Sequence, residues 1–267
     1  MSKGFLWFCQ NNTKTDYVEL SIELAKSIKK FNKENTVCVI TDVNSKFESE
    51  HVDIVKVLQT DSSKTHQVTW ANEHKAFELS PFTHTIKLEA DMLWTASTDW
   101  WWHHLWQHDL VFSVNCFDYK NTVVKDTFYR KLFWRNDLPN IYNGLTYFRR
   151  SQKAKLFYDL CKAITLNWEK VKNELLFACH DRYPSTDVVY ALAYKIMDPV
   201  NKGLIDYSWF KFIHNKDMIQ APWANNVNEY LFPVKIKDRI LLGSQRLNRV
   251  WHYYDKKTLE HLDERIF

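Results

Sequence analysis

The apolar residues of this chain gather in short runs, separated by stretches in which apolar positions recur every three or four residues. "GFLWFCQ" is a continuous apolar run that ends in Gln10, Asn11 and Asn12, and it predicts a buried strand followed by a loop. Asp16 stands where a helix N-cap belongs, and Leu20, Leu24 and Ile28 keep helical spacing as far as Asn32. "TVCVITD" is a β-branched run closing on Asp42, and "VDIVKV" reads as a third strand. "TWANEHKAFELS" carries Trp70, Ala76 and Phe77 in a loose helical pattern, stops at Pro81, and delivers the chain into "HTIKL". Strand and helix alternate, and the strands are apolar on both faces. That pattern predicts an α/β fold, a mostly parallel sheet with helices on each side. Ligands of such sheets bind outside the carboxyl ends of the strands. Gln10 to Asn12, Asp42 and the acids after "HTIKL" are therefore expected along one rim.

The second half is patterned differently. "DLVFSVN" reads as a strand, "KNTVVKDTFYRKLFWRNDLPNI" as an irregular aromatic and basic excursion, and "YNGLTYF" as a turn leading into a strand. Ser151 is expected to cap a helix with Leu156, Leu160 and Ile164 on its buried face, and Ser185 another with Val188, Leu192 and Ile196. The last 60 or so residues mix short strands and loops. With no repeat, no low-complexity segment and only four glycines, residues 1–267 are expected to form one domain.

Composition narrows the classes. The five cysteines are scattered, mostly in apolar runs, and never spaced C-x-x-C, so reduced core thiols in a cytoplasmic protein are expected rather than a disulfide frame or zinc site. "GFLWFCQ" is too short for a signal peptide, and no run has the roughly 18–20 apolar residues of a membrane span. A formal charge of +4 is compatible with a polyanionic partner without demanding one. Aromatics at 16%, with 12 tryptophans, offer flat faces that suit sugars and bases as well as a core of large residues. On a helix through "DWWWHHLWQH", Trp101 and Leu105 would face the core, and Trp102 and Trp106 would form a second stripe.

The sharpest chemistry lies in "THTIKLEADMLWTAS". Glu89 and Asp91 alternate at a strand end, so both point to one side. Paired carboxylates there suit a hard divalent cation, Mg²⁺ or Mn²⁺, shared with substrate phosphates. Loop acids facing water are the bland alternative.

The order of these motifs resembles the nucleotide-sugar-dependent glycosyltransferases of the GT-A fold, over most of the chain. "IKLEADMLW" is similar to their D-x-D line, with Glu89 in place of the first aspartate. "FCQNNTKTDYVELSIELAKSIKKFN" followed by "VCVITD" resembles the opening of the retaining, GT8-like branch. "YNGLTYFRRS", "STDVVYALAY" and "VWHYYDKK" resemble its asparagine, aspartate-helix and C-terminal histidine motifs in that order.

The resemblance implies Asp91 and His252 as metal ligands, with Glu89 a weaker metal or ribose contact because its arm is longer. It implies Gln10, Asn11 and Tyr17 at the uracil and ribose, and Lys75 at the diphosphate or sugar. Asn143 and Asp187 would be the catalytic pair around the transferred sugar. Residues 1–115 would form the nucleotide-sugar half and 116–267 the acceptor half. The implied donor is a UDP-sugar, UDP-glucose above all, transferred with retention.

The acceptor is a separate question. The excursion carries Lys125, Arg130, Lys131 and Arg135, and a second basic set comprises Lys235, Lys237, Arg239, Arg246 and Arg249. Both could meet phosphates, or simply face water. Size, basic excess and style resemble the small glycosyltransferases of T-even-like bacteriophages, which implies double-stranded DNA bearing glucosylated hydroxymethylcytosine as acceptor, in the cytoplasm of an infected host. Two alternatives stand beside this. One is a surface-polysaccharide transferase of the same fold; "KKTLEHLDERIF", with as many acids as bases, lacks the basic tail that class often uses at membranes. The other is a carbohydrate- or nucleic-acid-binding module without turnover.

Overall fold

The computed structural model describes residues 2–66, 68–124, 130–215, 233–237, 239–253, 255–262 and 266, so Lys125 lies outside the described residues. β1 (Lys3–Cys9) enters the core at once, and helix α1 (Tyr17–Phe31) follows. The Asp16 carboxylate accepts from the Val18 and Glu19 amides at the start of α1, and Leu20, Leu24 and Ile28 are buried along one face. β2 (Thr36–Thr41) and β3 (Ile54–Val57) come next. A short turn, α2 (Ser63–His66), follows, and the segment expected to be loosely helical, residues 69–80, is a 3₁₀ stretch Thr69–Lys75 running into a single turn of helix, α3 (Ala76–Leu79). β4 (His84–Leu88), β5 (Met92–Leu93), α4 (Trp101–Leu105) and β6 (Leu110–Val114) complete the first half.

Beyond them lie α5 (Lys131–Arg135), β7 (Ile141–Arg149), α6 (Gln152–Leu166), α7 (Trp168–Leu175) and α8 (Thr186–Met197). The closing part holds β8 (Ile213–Asn215), β9 (Pro233–Ile236), β10 (Arg239–Leu242), β11 (Gln245–Arg246) and β12 (Trp251–Tyr253). The main sheet runs β3-β2-β1-β4-β7-β6, parallel through its first four strands, with β7 antiparallel to both neighbours. β2 and β4 flank β1 on opposite sides, so the strand order reverses between β1 and β4. An open α/β sheet leaves its crevice at such a reversal.

Several expectations shift. "YNGLTYF" is no turn: β7 is continuous through it, and Asn143 to Leu145 bulge out between the pairs Ser113↔Tyr142 and Phe112↔Thr146. On α6, Leu156 is exposed, while Ala154, Phe157, Tyr158, Cys161 and Ile164 pack inward. On α8, Ile196 is exposed, because the helix is buried all round from Val188 to Tyr194, and Ser185 caps it by position without a side-chain hydrogen bond. Trp101, Trp102 and Leu105 are buried and Trp106 is exposed, resting on His84. Cys9, Cys38, Cys116 and Cys161 are buried free thiols, and Cys179 is half-buried. Among the described residues no helix is long and apolar enough to cross a membrane.

Candidate metal centre and its two cavities

β4 ends at Leu88, and the next residues, Glu89 and Asp91, stand over the crevice between β1 and β4. His252 reaches them from the far end of the chain. β12 pairs antiparallel with β5, setting His252 opposite Met92, and parallel with β8, setting it beside His214. His252 Nε2 lies 3.0 Å from Asp91 Oδ2 and 3.5 Å from Glu89 Oε2. One ligand atom from each of Glu89, Asp91 and His252 falls within 4.8 Å of the others. Two hard oxygen donors and one imidazole fit Mn²⁺ or Mg²⁺ with positions left for phosphate and water.

The electrostatics agree with that donor set. Burial opposes ionisation of Asp91, yet His252 and Lys256 hold its carboxyl well below the usual carboxylate range. Burial raises Glu89. Burial alone would lower His252, but the charge and hydrogen bond of Asp91, with Glu89, raise it above an ordinary imidazole. A divalent ion needs the Nε2 lone pair, so binding releases the proton carried there. Mn²⁺ affinity is therefore expected to fall about tenfold per pH unit below that raised pKa and to level off above it. Calorimetry in buffers of different ionisation enthalpy checks this by counting protons released on the acid side.

Two cavities meet at Glu89, His252 and Trp70. One, of about 210 Å³, is lined by Gln10, Tyr17, Glu73, Asp91 and Lys256 as well. The other, of about 350 Å³, is lined by Tyr142, Asn143, Gly144, Asp187 and His214. Gly144 is needed for this junction, since a Cβ there would sit 2.8 Å from Glu89 Oε2 and 2.9 Å from Met92 Cε. Asp187, in the first turn of α8, accepts from the Asn143 backbone N–H at 2.7 Å, from Asn143 Nδ2 at 2.9 Å, and from Arg130 at 2.7 Å.

Not every expected residue arrives. Gln10 does, held by Asn72 Nδ2 donating to its Oε1 at 2.8 Å and by its own Nε2 donating to Asp42 at 3.3 Å. Asn11 is turned to the start of α1, where its Oδ1 accepts from the Val18 amide at 3.1 Å. Lys75 points into a separate hollow with His74, Glu78 and Lys162, donating to the Thr60 carbonyl and to Asn72. The 3₁₀ geometry is the reason: Trp70 and Glu73, three apart, share the face toward the site, and Lys75 falls on another. Arg130 is no surface cation. It is buried, stacked 3.6 Å from the Phe133 ring centroid and 4.0 Å from that of Tyr142, and paired with Asp187. Trp70, Glu73, Lys87, Lys256 and His214 are site-lining or site-supporting residues that the sequence patterns did not single out.

Among solved structures the chain is similar to the galactosyltransferase LgtC, crystallised in complex with donor and acceptor sugar analogues. Identity is 12%, 94% of this chain and 87% of that one are covered, and the TM-score is 0.54. The chain has the GT-A fold. No protein-family model and no curated protein sequence matches it. Within the GT-A fold, the acid pair at the end of β4 and the histidine of β12 occupy the crevice where strand order reverses.

Proposed function

We propose that this protein transfers a sugar from a nucleotide-sugar donor to an acceptor hydroxyl, with a divalent cation held by Asp91, His252 and Glu89. The observation that carries this is the Glu89, Asp91 and His252 cluster at the junction of two cavities in a GT-A fold. Gln10 and Tyr17 on one side suit the nucleoside, Asn143 and Asp187 on the other suit the sugar, and the diphosphate spans the cluster between them. A bound cation supplies positive charge for the departing diphosphate. Lys256, paired with Asp91, adds a second positive group beside it. The bond from the anomeric carbon to the phosphate oxygen breaks and one to the acceptor oxygen forms on the same face. The acceptor's proton passes to the departing phosphate oxygen.

The donor we propose is UDP-glucose, and the acceptor glucosylated hydroxymethylcytosine in double-stranded DNA, with residues 1–115 holding the nucleoside side of the donor and 116–267 the acceptor, while Asn143, Asp187, His252 and Lys256 of the second half also reach the donor's sugar and diphosphate. The supporting surface is the β9-β10-β11 sheet, where Lys237, Arg239 and Arg246 are exposed, together with exposed Trp134 and Arg135 of α5. Arg249 is not part of it, because its guanidinium lies over the Phe117 ring, 4.0 Å from the centroid. The test incubates the protein with UDP-glucose, Mn²⁺ and unmodified, hydroxymethylated or glucosylated DNA, followed by mass spectrometry of the nucleosides. We expect a hexose gained by the glucosylated DNA and abolished by EDTA. UDP release without a gain on any DNA overturns the acceptor. No UDP release from any nucleotide sugar overturns sugar transfer.

A further inference from the structure

Lys87 lies in the middle of β4, fully buried, in a strand position that a leucine or valine would fill. Its ammonium is ion-paired with Glu73 and donates to Asn143 Oδ1 at 2.8 Å, 5.7 Å from the Tyr190 ring centroid of α8. Glu89 follows just beyond the end of the strand, near enough for the Lys87 charge to act on its carboxyl. Burying two charges is a poor way to gain stability, because a well-packed apolar pair is often as good or better. The contacts give a different reason for it. An asparagine side chain can flip, and only one orientation presents Nδ2 to Asp187 while Oδ1 faces a donor. Lys87 supplies that donor, and Asp187 accepts from the opposite end of the same amide.

We propose that Lys87, held by Glu73, is a positioning residue for the sugar side of the site: it fixes the Asn143 carboxamide in one orientation and through it the Asp187 carboxylate. The inference rests on the sugar-transfer reading above and adds to it a buried residue that never touches the donor. The test compares wild type with Lys87→Met and with the double variant Lys87→Met/Glu73→Leu, which leaves no charge stranded in the interior. Positioning predicts that kcat for Mn²⁺-dependent UDP release from UDP-glucose stays ~100-fold low in both variants, the scale of a misplaced reacting group. In Lys87→Met, KM for the donor stays near wild type, since Lys87 lines neither the nucleoside cavity nor the metal cluster. A double variant that regains wild-type kcat with a restored Tm overturns the proposal and leaves the pair a packing device. A wild type that releases no UDP from any donor sinks sugar transfer instead, and then NMR exchange of the Asn143 side-chain amide protons decides. Protection in wild type and its loss in the double variant support positioning, whereas equal exchange in both overturns it.

Discussion

Replacing Asp91 with asparagine is expected to cut Mn²⁺-dependent UDP release by about 10³-fold, because metal stabilisation of a departing diphosphate is worth several kcal/mol and ~4 kcal/mol is three decades of rate. Of the three candidate ligands Asp91 is the best prepared: it stays ionised although buried, and it faces both His252 and Lys256. Asparagine keeps the shape and removes the charge. The same substitution removes the group that raises His252, so the imidazole pKa, followed by NMR, is expected to drop in the variant. Mn²⁺ affinity should fall with it, while the circular dichroism spectrum is unchanged. A variant that keeps turnover within tenfold of wild type would show that chemistry runs elsewhere, and a protein without turnover that binds its sugar or DNA equally well before and after would be a binding module.

How much of this site the sequence showed depends on how far each residue's partners lie along the chain. The acids after β4 were legible because a strand and its end are local features: an apolar run, then two carboxylates at period two. The N-cap of α1 was legible for the same reason, and Asp16 performs the role its position suggested. His252 was placed only through the order of motifs, since what brings it to Asp91 is a β-ladder between β5 and β12, some 160 residues apart. Lys87 was hidden by its strand, because the pattern "HTIKL" carries a lysine without saying which way it points or what pairs with it. Around Gly144 the sequence suggests a turn and a close approach of the backbone, but the neighbour that sets the constraint, Glu89, follows only from pairing Leu88 with Leu145. On α6 two stripes overlap, one through Leu156 and Leu160 and one through Phe157 and Cys161. The choice between them belonged to the sheet beneath, where Phe157 meets Phe112 of β6.

Arg130 shows the same limit and yields the second large effect. Within a basic excursion it reads as a surface cation, yet its guanidinium is almost wholly buried between two rings, with one nitrogen on Asp187 and another on the Ile141 carbonyl. Arg130→Met is therefore expected to destabilise the fold by about 3 kcal/mol, the lower end for breaking a buried pair because Asp187 is still partly open to solvent. For a chain of this size that is a Tm lower by roughly 6–12 °C, measurable by calorimetry. Lysine cannot replace the planar fork or its stacking, so Arg130→Lys should recover only part of the loss. The double variant Arg130→Met/Asp187→Asn should be more stable than Arg130→Met alone, because no uncompensated carboxylate remains beside α8. It should nevertheless stay inactive if Asp187 meets the sugar. Full stability together with full turnover in Arg130→Met would mean that Asp187 needs no clamp, and that the cavity around Asn143 is not where the sugar sits.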